Sequence, residues 1–437
     1  MKKTWRSIIS GFSNSHLFEK IFVILAMCAG FCITLDASIV KPVSNSFFIS
    51  SYGTSLFPYA WLFALPINLL LVTIYNKFLA KVGCLKVMWA TVAMIILGGV
   101  LSASCIATVS WVPFFLYIWK DIYVLLMFQQ LWSVIHVTIP EKQSKWCYGL
   151  LFGFGGIGSV VGSFISGHFS LQLGSQKLLL YSIPIYITFA LIYSAALYVR
   201  NKMENREDLH ILHQDCSEKK LVDGFELVRN SRQLRFILAI VVCMQVAATL
   251  MELQFSLFLK QIPSTDQMTA FSGKLFTFIN GMVLFLQFFG STLLLNIFRL
   301  RTLHFSMPVI FLSNAFLFLL FPHFGMFIYT FVIVKSFDYS IFNIAKESLY
   351  SPLAMREKFQ AKAVIDVFAY RSARGIASIL VLLLQGLCFA QISYLSIGNI
   401  LVFCSWIISV FFFYREKQKP VLSLSLIHIS EPTRPLY

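Results

Sequence analysis

Apolar runs long enough to cross a lipid bilayer recur along almost the whole chain, and they limit its fold more than any other feature. A spanning helix needs about 20 mostly apolar residues. Runs of this kind cover 20–39, 55–76, 87–108, 111–138, 147–168, 178–199, 236–258, 273–297, 304–321, 324–345, 363–389 and 393–414. They predict about twelve spans. Composition agrees: 58% of the 437 residues are hydrophobic, 45 are phenylalanine and 12% are charged, against about 25% charged in soluble domains. A soluble globule could not bury so much apolar surface, so lipid is the solvent for most of it. Lipid offers no partners to backbone N–H and C=O groups, so each run is read as a helix.

Cations alternate between the connecting loops. Lys2, Lys3 and Arg6 precede the first run, and Lys77, Lys81 and Lys86 lie between the second and third. Lys142 and Lys145, Arg299 and Arg301, then Lys346, Arg356, Lys358 and Lys362 follow on the same side, and Arg415, Lys417 and Lys419 end the series. The opposite loops carry only Lys177, Lys260 and Lys274. Positively charged loops stay in the cytoplasm, so both termini are expected there. The first run is read as a retained helix, since no small-residue cleavage site precedes it. A hydrophilic stretch at 200–235 divides the runs into equal halves. The expected architecture is therefore an all-α polytopic membrane protein with two six-helix bundles, 1–199 and 236–419, joined by a basic cytoplasmic linker at 200–235. This layout is major-facilitator-like. The tail at 420–437 fits no span.

The net charge of +16 sits in short loops that orient spans, so nucleic acid is not an expected partner; the lipid bilayer is. The nine cysteines are scattered, with no CxxC pair, and are expected as buried thiols. His210 and His213 lack further ligands at a suitable spacing, so no metal or cofactor is expected. Walker A, GxSxG and HExxH sequences are all absent. Neither an enzyme nor an ATP-driven pump is indicated.

Polar residues inside the spans carry the functional signal. A charge at the centre of a spanning helix costs roughly 2.5–3.5 kcal/mol on insertion scales. Such residues persist where they face one another, a wet cavity or a charged substrate. Lys335, Asp338, Lys346 and Glu347 fall within KSFDYSIFNIAKESLY. Glu252 is deep in the seventh run, and Lys120 and Asp121 are well within the fourth. Asp366, Arg371 and Arg374 begin the eleventh. Asp36 and Lys41 flank the end of the first, where Pro42 is expected to break the helix. Gly158 and Gly162 form a GxxxG pair in a glycine-rich fifth run, a spacing that lets two helix backbones approach closely in lipid. Arginine binds phosphate oxygens bidentately and stays ionised at low dielectric, so Arg371 and Arg374 beside Lys346 would suit a polyanion.

The segment DYSIFNIAKESLYSPLAMREKFQAKAVIDVFAYRSARG resembles the bacterial and plastid ADP/ATP translocases, whose pattern reads YSLFDPxKExxYIPL…KxKGKAAIDVxxxRxGK. Tyr339, Ser340, Phe342, Lys346, Glu347, Tyr350, Pro352, Leu353, Lys362, Ala363, Ile365, Asp366 and Arg371 match it. A looser block keeps Trp132, Lys145, Tyr148 and Phe152, and a third keeps Glu252, Lys260 and Pro263. The chain departs from the family in three places. VKPVSN replaces the first-span RDxKD, Lys120 stands near a family glutamate, and Trp146 replaces the arginine of AKR.

The resemblance implies a secondary carrier in a bacterial inner membrane that exchanges ATP for ADP or takes up nucleotides. Lys346, Arg371, Arg374, Glu252 and Lys120 are the expected substrate-binding residues. Asp366, Glu347, Asp338, Lys335, Lys145, Gly158 and Gly162 are expected in structural or gating roles. Two alternatives stay open: a carrier of another phosphorylated or anionic metabolite, and a non-transporting scaffold or scramblase. The final SLSLIHISEPTRPLY resembles the translation of a sequencing-adapter read-through and is set aside.

Overall fold

The computed structural model describes residues 17–139, 141–204, 226–290, 299–350, 365, 370–386 and 392–417. Among these, eleven helices are long and apolar enough to cross a membrane, and a shorter apolar helix covers Ser372–Gln385. In chain order the helices are α1 (Leu17–Tyr52), α2 (Phe57–Val82), α3 (Cys84–Cys105), α4 (Val112–Thr138), α5 (Glu141–Leu173) and α6 (Ser182–Glu204). The second set is α7 (Arg232–Leu259), α8 (Thr265–Phe285), α9 (Leu300–Leu320), α10 (Phe324–Phe337), α11 (Tyr370–Gly386) and α12 (Ile392–Lys417). The chain is a multi-pass, all-α membrane protein.

Local sequence sets several helix ends. Gly83 separates α2 from α3 with φ +91°, a conformation that L side chains rarely adopt. The Ser231 hydroxyl caps α7 by accepting from the Leu234 N–H at 3.4 Å. Pro113 sits in the first turn of α4, where its missing N–H leaves no bond unmade.

Pro42 does not break the first span. α1 runs unbroken through it for 36 residues, about 54 Å at the rise of an α-helix. Asp36 and Lys41 are therefore interior positions, not end positions. Proline deprives the carbonyl four residues earlier of its donor. Here the Ser166 hydroxyl of α5 approaches that Ser38 carbonyl at 3.5 Å. The Ser46 hydroxyl meanwhile bonds the Pro42 carbonyl at 2.9 Å. Ser166 thus lies within reach of the freed carbonyl, while its hydroxyl is closer to the Ser163 carbonyl of its own helix, at 3.0 Å. α8 also begins earlier than its apolar run, at Thr265. That places Lys274 within the helix and not in a loop.

Within the first set, α1 packs on α4, α5 and α6. The GxxxG glycines lie at the α1–α5 crossing. A Cβ on Gly158 would overlap the Phe31 carbonyl, and one on Gly162 the Leu35 carbonyl. Within the second set, α7 packs on α11 and α12, and α9 on α12. The sets meet along α5–α8, α1–α8 and α2–α11. At the α5–α8 crossing Gly167 and Gly273 bring backbone against backbone, with no room for a Cβ on either. Asn280 of α8 donates to the Ser163 hydroxyl at 3.0 Å and to the Ser159 carbonyl at 3.3 Å across the same seam.

Two π-helical segments interrupt regular helix. Leu286–Gly290 follows α8, and Asp338–Phe342 follows α10, continuing as helix over Asn343–Leu349. They are joined, because Gln287 donates to the Tyr339 carbonyl at 3.2 Å. Such bulges shift carbonyl positions and recur at functional sites. This one falls inside the charged stretch that the sequence singles out.

Candidate functional site

Six charged side chains from five helices meet between the two bundles. Glu252 of α7 is the hub. Its Oε1 lies 2.8 Å from Lys335 Nζ of α10 and 3.8 Å from Lys41 Nζ of α1, and its Oε2 lies 3.7 Å from Arg374 Nη2 of α11. Arg374 Nη1 also reaches Asp121 Oδ2 of α4 at 3.3 Å, and Asp121 Oδ1 lies 3.8 Å from Lys120 Nζ. The Lys41–Glu252 and Arg374–Asp121 pairs cross from one bundle to the other. Lys335–Glu252, Arg374–Glu252 and Lys120–Asp121 stay within one.

Burial differs across the cluster. The side chains of Lys335 and Lys120 are 2% and 6% exposed, whereas Lys41, Asp121 and Arg374 keep 37%, 37% and 40%. Lys335 is thus held by its ion pair, and an unpaired cation so deep would be strongly unfavourable. Lys120 is held differently. Its Nζ donates to the Tyr117 carbonyl at 3.0 Å and sits 3.6 Å from the centre of the Tyr117 ring. That ring is fixed in turn by Trp61, whose indole N–H donates to the Tyr117 hydroxyl at 2.7 Å. Lys41 lies 5.1 Å from the centre of the Phe276 ring of α8. Cation–aromatic contacts of this kind offset part of the cost of placing a cation away from water.

A cavity of about 350 Å³ adjoins the cluster. Lys41 and Phe276 border its inner part, and Gly30, Ile135, Leu151 and Gln287 its outer part. The eleven residues from Lys41 to Gly30 correspond to about 16 Å along α1. The cavity therefore runs from the charges toward the helix ends that carry the basic loops. The opposite ends are packed shut. Phe48 stacks within 4.6 Å of both Phe57 and Tyr117. Phe255 and Phe331 lie 4.7 Å apart, as centroids, and Phe258 and Phe327 4.6 Å apart. The Ser175 N–H donates to Asp266 at 2.7 Å between the sets.

The expected site residues divide into three groups. Glu252, Arg374, Lys120 and Lys335 belong to the cluster. Lys346 and Glu347 lie further along, in the helical turns after the π-segment, with Lys346 half-buried and Glu347 exposed. Lys346 is eleven residues past Lys335, about 16 Å if measured along a helix axis. Asp338 is buried beside the cluster, one turn after Lys335. Arg371 is in the first turn of α11 and Lys145 in the first turns of α5. Asp366 lies outside the described residues, as do 205–225 of the linker and 418–437 of the tail. Among the described residues no group of His, Cys, Asp and Glu could hold a metal ion.

Lys41 and Asp121 complete the cluster and were not among the expected site residues. The signal for Lys41 was hidden by the expected helix break at Pro42. For Asp121 it was hidden by the 100° between adjacent helical positions, which the two side chains bridge by their reach.

The family profile for the TLC ATP/ADP transporter matches residues 324–416. The "ADP,ATP carrier protein 4" of Rickettsia typhi is 23% identical over 336 residues, covering 66% of this chain and 64% of the relative. Its counterpart in Rickettsia bellii is 22% identical over 348 residues, covering 69% and 64%. The chain thus spans 64% of the length of the curated relatives it matches. In fold it is similar to the nucleoside transporter NupG, with a TM-score of 0.65 at 11% identity over 90% of this chain and 99% of that one. A bacterial homologue of the iron transporter ferroportin also gives 0.65 at 11% identity, over 91% and 100%. The fold is the two-bundle architecture of these transporters, and over residues 324–416 the chain is similar to the ATP/ADP transporter family.

Proposed function

We propose that the chain is a secondary carrier that exchanges ATP for ADP, or takes up a nucleotide, by alternating access between its two bundles. The observation that carries this reading is the ion-pair cluster at the junction of α1, α4, α7, α10 and α11. Four cations face two carboxylates there. Of these cations Lys41 borders the inner end of the cavity, and a surplus of positive charge behind it suits a polyphosphate. Similarity to carriers named for ADP and ATP supports the same substrate class.

The mechanism follows from which pairs the phosphates would displace. Entry of the substrate frees Lys41 and Lys335 from Glu252, and Arg374 from Asp121. Two of those contacts tie the bundles together, so substrate binding and bundle separation are linked. A ligand shifts a conformational equilibrium only by its differential affinity for the two forms. Exchange of partners at pairs that exist in one form supplies that difference. Lys120 stays on Tyr117 and adds field. In this reading Lys346 and Glu347 lie on the side of the cluster nearer the basic loops, and Arg371, Lys145 and Asp366 keep the binding and gating roles that the family resemblance implies. With those loops in the cytoplasm of a bacterial inner membrane, the form described is open inward.

Counterflow in liposomes tests the proposal. Vesicles loaded with ADP should accumulate labelled ATP saturably, and Lys335→Ala should abolish it. Exit driven by another phosphorylated metabolite and by no nucleotide would reassign the substrate. Absence of transport with every anion tried would remove the carrier reading.

A further inference from the structure

The cavity beyond the charges is unlike its inner end. Its α4 wall carries Phe128 and Trp132, one helical turn apart, together with Leu131 and Ile135. The same cavity is lined by two amides of the second bundle, Asn280 of α8 and Gln287 of the π-helical segment that follows it. Trp132 is not loose. It stacks on His136 at 5.5 Å and 28°, and meets Tyr148 edge-on at 5.2 Å. The Tyr148 hydroxyl bonds His136 Nδ1 at 2.8 Å and fixes that ring in turn. The amides are fixed as well, Asn280 by Ser163 and Ser159, Gln287 by the Tyr339 carbonyl. An anchored aromatic wall and anchored amides in one cavity are the chemistry that recognises a flat heterocycle: a π face for stacking and polar groups for its edge.

From this arrangement we infer that Trp132 and Phe128 form a nucleobase subsite, with Asn280 and Gln287 reading the base edge and the phosphates directed at Lys41, Lys335 and Arg374. The inference rests on the nucleotide reading above and adds the orientation of the ligand and the residues that select its base. Distances along the helices fit. Thr34, on the same wall of α1, lies seven residues or about 10 Å from Lys41. A volume of about 350 Å³ falls within the range of small-ligand pockets. The subsite also gives the conformational cycle a second handle. The aromatic wall belongs to the first bundle and the amides to the second, so a bound base touches both.

The test separates base from phosphate. The purified full chain is titrated with ATP and with inorganic tripolyphosphate, by calorimetry in detergent. Wild type should bind ATP more tightly than tripolyphosphate. Trp132→Ala and Trp132→Leu should each weaken ATP about ten-fold, the size expected for loss of one base stack, with tripolyphosphate changed less than two-fold. Trp132→Phe should keep most of the ATP affinity and guards against a folding defect. Lys335→Ala should weaken both ligands. Unchanged ATP affinity in Trp132→Ala, or equal losses for both ligands, would overturn the subsite. So would wild type binding tripolyphosphate as tightly as ATP. If wild type binds ATP and no tripolyphosphate, the ATP result for the Trp132 variants decides alone. If it binds neither, the nucleotide reading fails first and the subsite falls with it.

Discussion

Glu252 and Lys335 form the closest ion pair of the cluster, 2.8 Å apart on adjacent helices of the second bundle. Lys335 has almost no exposure of its own. The carboxylate is therefore what makes that lysine tolerable when no substrate is bound, and the two residues act as a unit.

Glu252→Gln should accordingly lower the stability of the ligand-free protein by about 3 kcal/mol, the usual scale for removing one partner of a buried pair. Added ATP should restore part of the loss, because its phosphates would replace the missing charge. A thermal-unfolding series with and without ATP checks both halves. No loss in the empty protein would separate Lys335 from its assigned partner.

Asp121 and Arg374 join the bundles at 3.3 Å with both side chains more than a third exposed. Their pairing energy should be small, about 0.5–1 kcal/mol, so neither single change should unfold the protein. Exchange should still drop in Asp121→Arg and in Arg374→Asp. The double swap should recover a measurable part of it in the liposome assay. Failure of the swap to recover anything would make the contact incidental to transport.

Gly162 and Gly167 predict different phenotypes from the same chemistry. A side chain at Gly162 collides with α1 inside one bundle. Gly162→Val should therefore reduce folded yield and melting temperature, whichever way the carrier faces. A side chain at Gly167 collides with Gly273 and Lys274 of the other bundle. Gly167→Val should spare the fold and disfavour the form closed at that seam. Cysteine labelling near the packed Phe48, Phe57 and Tyr117 rings would report it as increased accessibility. Equal behaviour of the two variants would contradict the assignment of the α5–α8 seam.

Asp36 tests the other side of α1. It is fully buried, accepts from the Tyr123 hydroxyl at 2.8 Å and from the Ser182 hydroxyl, and does not line the cavity. Asp36→Ala leaves those hydroxyls without their acceptor and should cost about 1–3 kcal/mol of stability. The apparent KM for nucleotide should stay within two-fold of wild type. A large change in KM at unchanged stability would move Asp36 into the transport machinery.

Much of this architecture was legible from hydropathy, because a bilayer forces each apolar run to satisfy its own backbone. The helices α4, α6, α7 and α12 lie close to their runs for that reason. Pro42 sits inside an unbroken helix because α1 packs along its length on α4, α5 and α6, and local sequence carries no trace of those tertiary partners. The cluster was partly legible. Charges inside spans announce themselves, so Glu252, Lys120, Lys335 and Arg374 could be named in advance. Which cation meets which carboxylate depends on how five helices are rotated, and no spacing along one helix encodes that. The Trp132 wall was visible only as a shared motif residue, since tryptophan in a membrane helix has many structural uses.

The Gly167–Gly273 crossing bears on how such a molecule can turn over quickly. Two bare main chains resting on each other interlock no knobs with holes, so drawing them apart leaves no empty sockets to be refilled. Friction at that bearing should be low, and the resistance to opening should reside in the packed aromatic rings and the shared ion pairs, which are the parts a substrate can unlock.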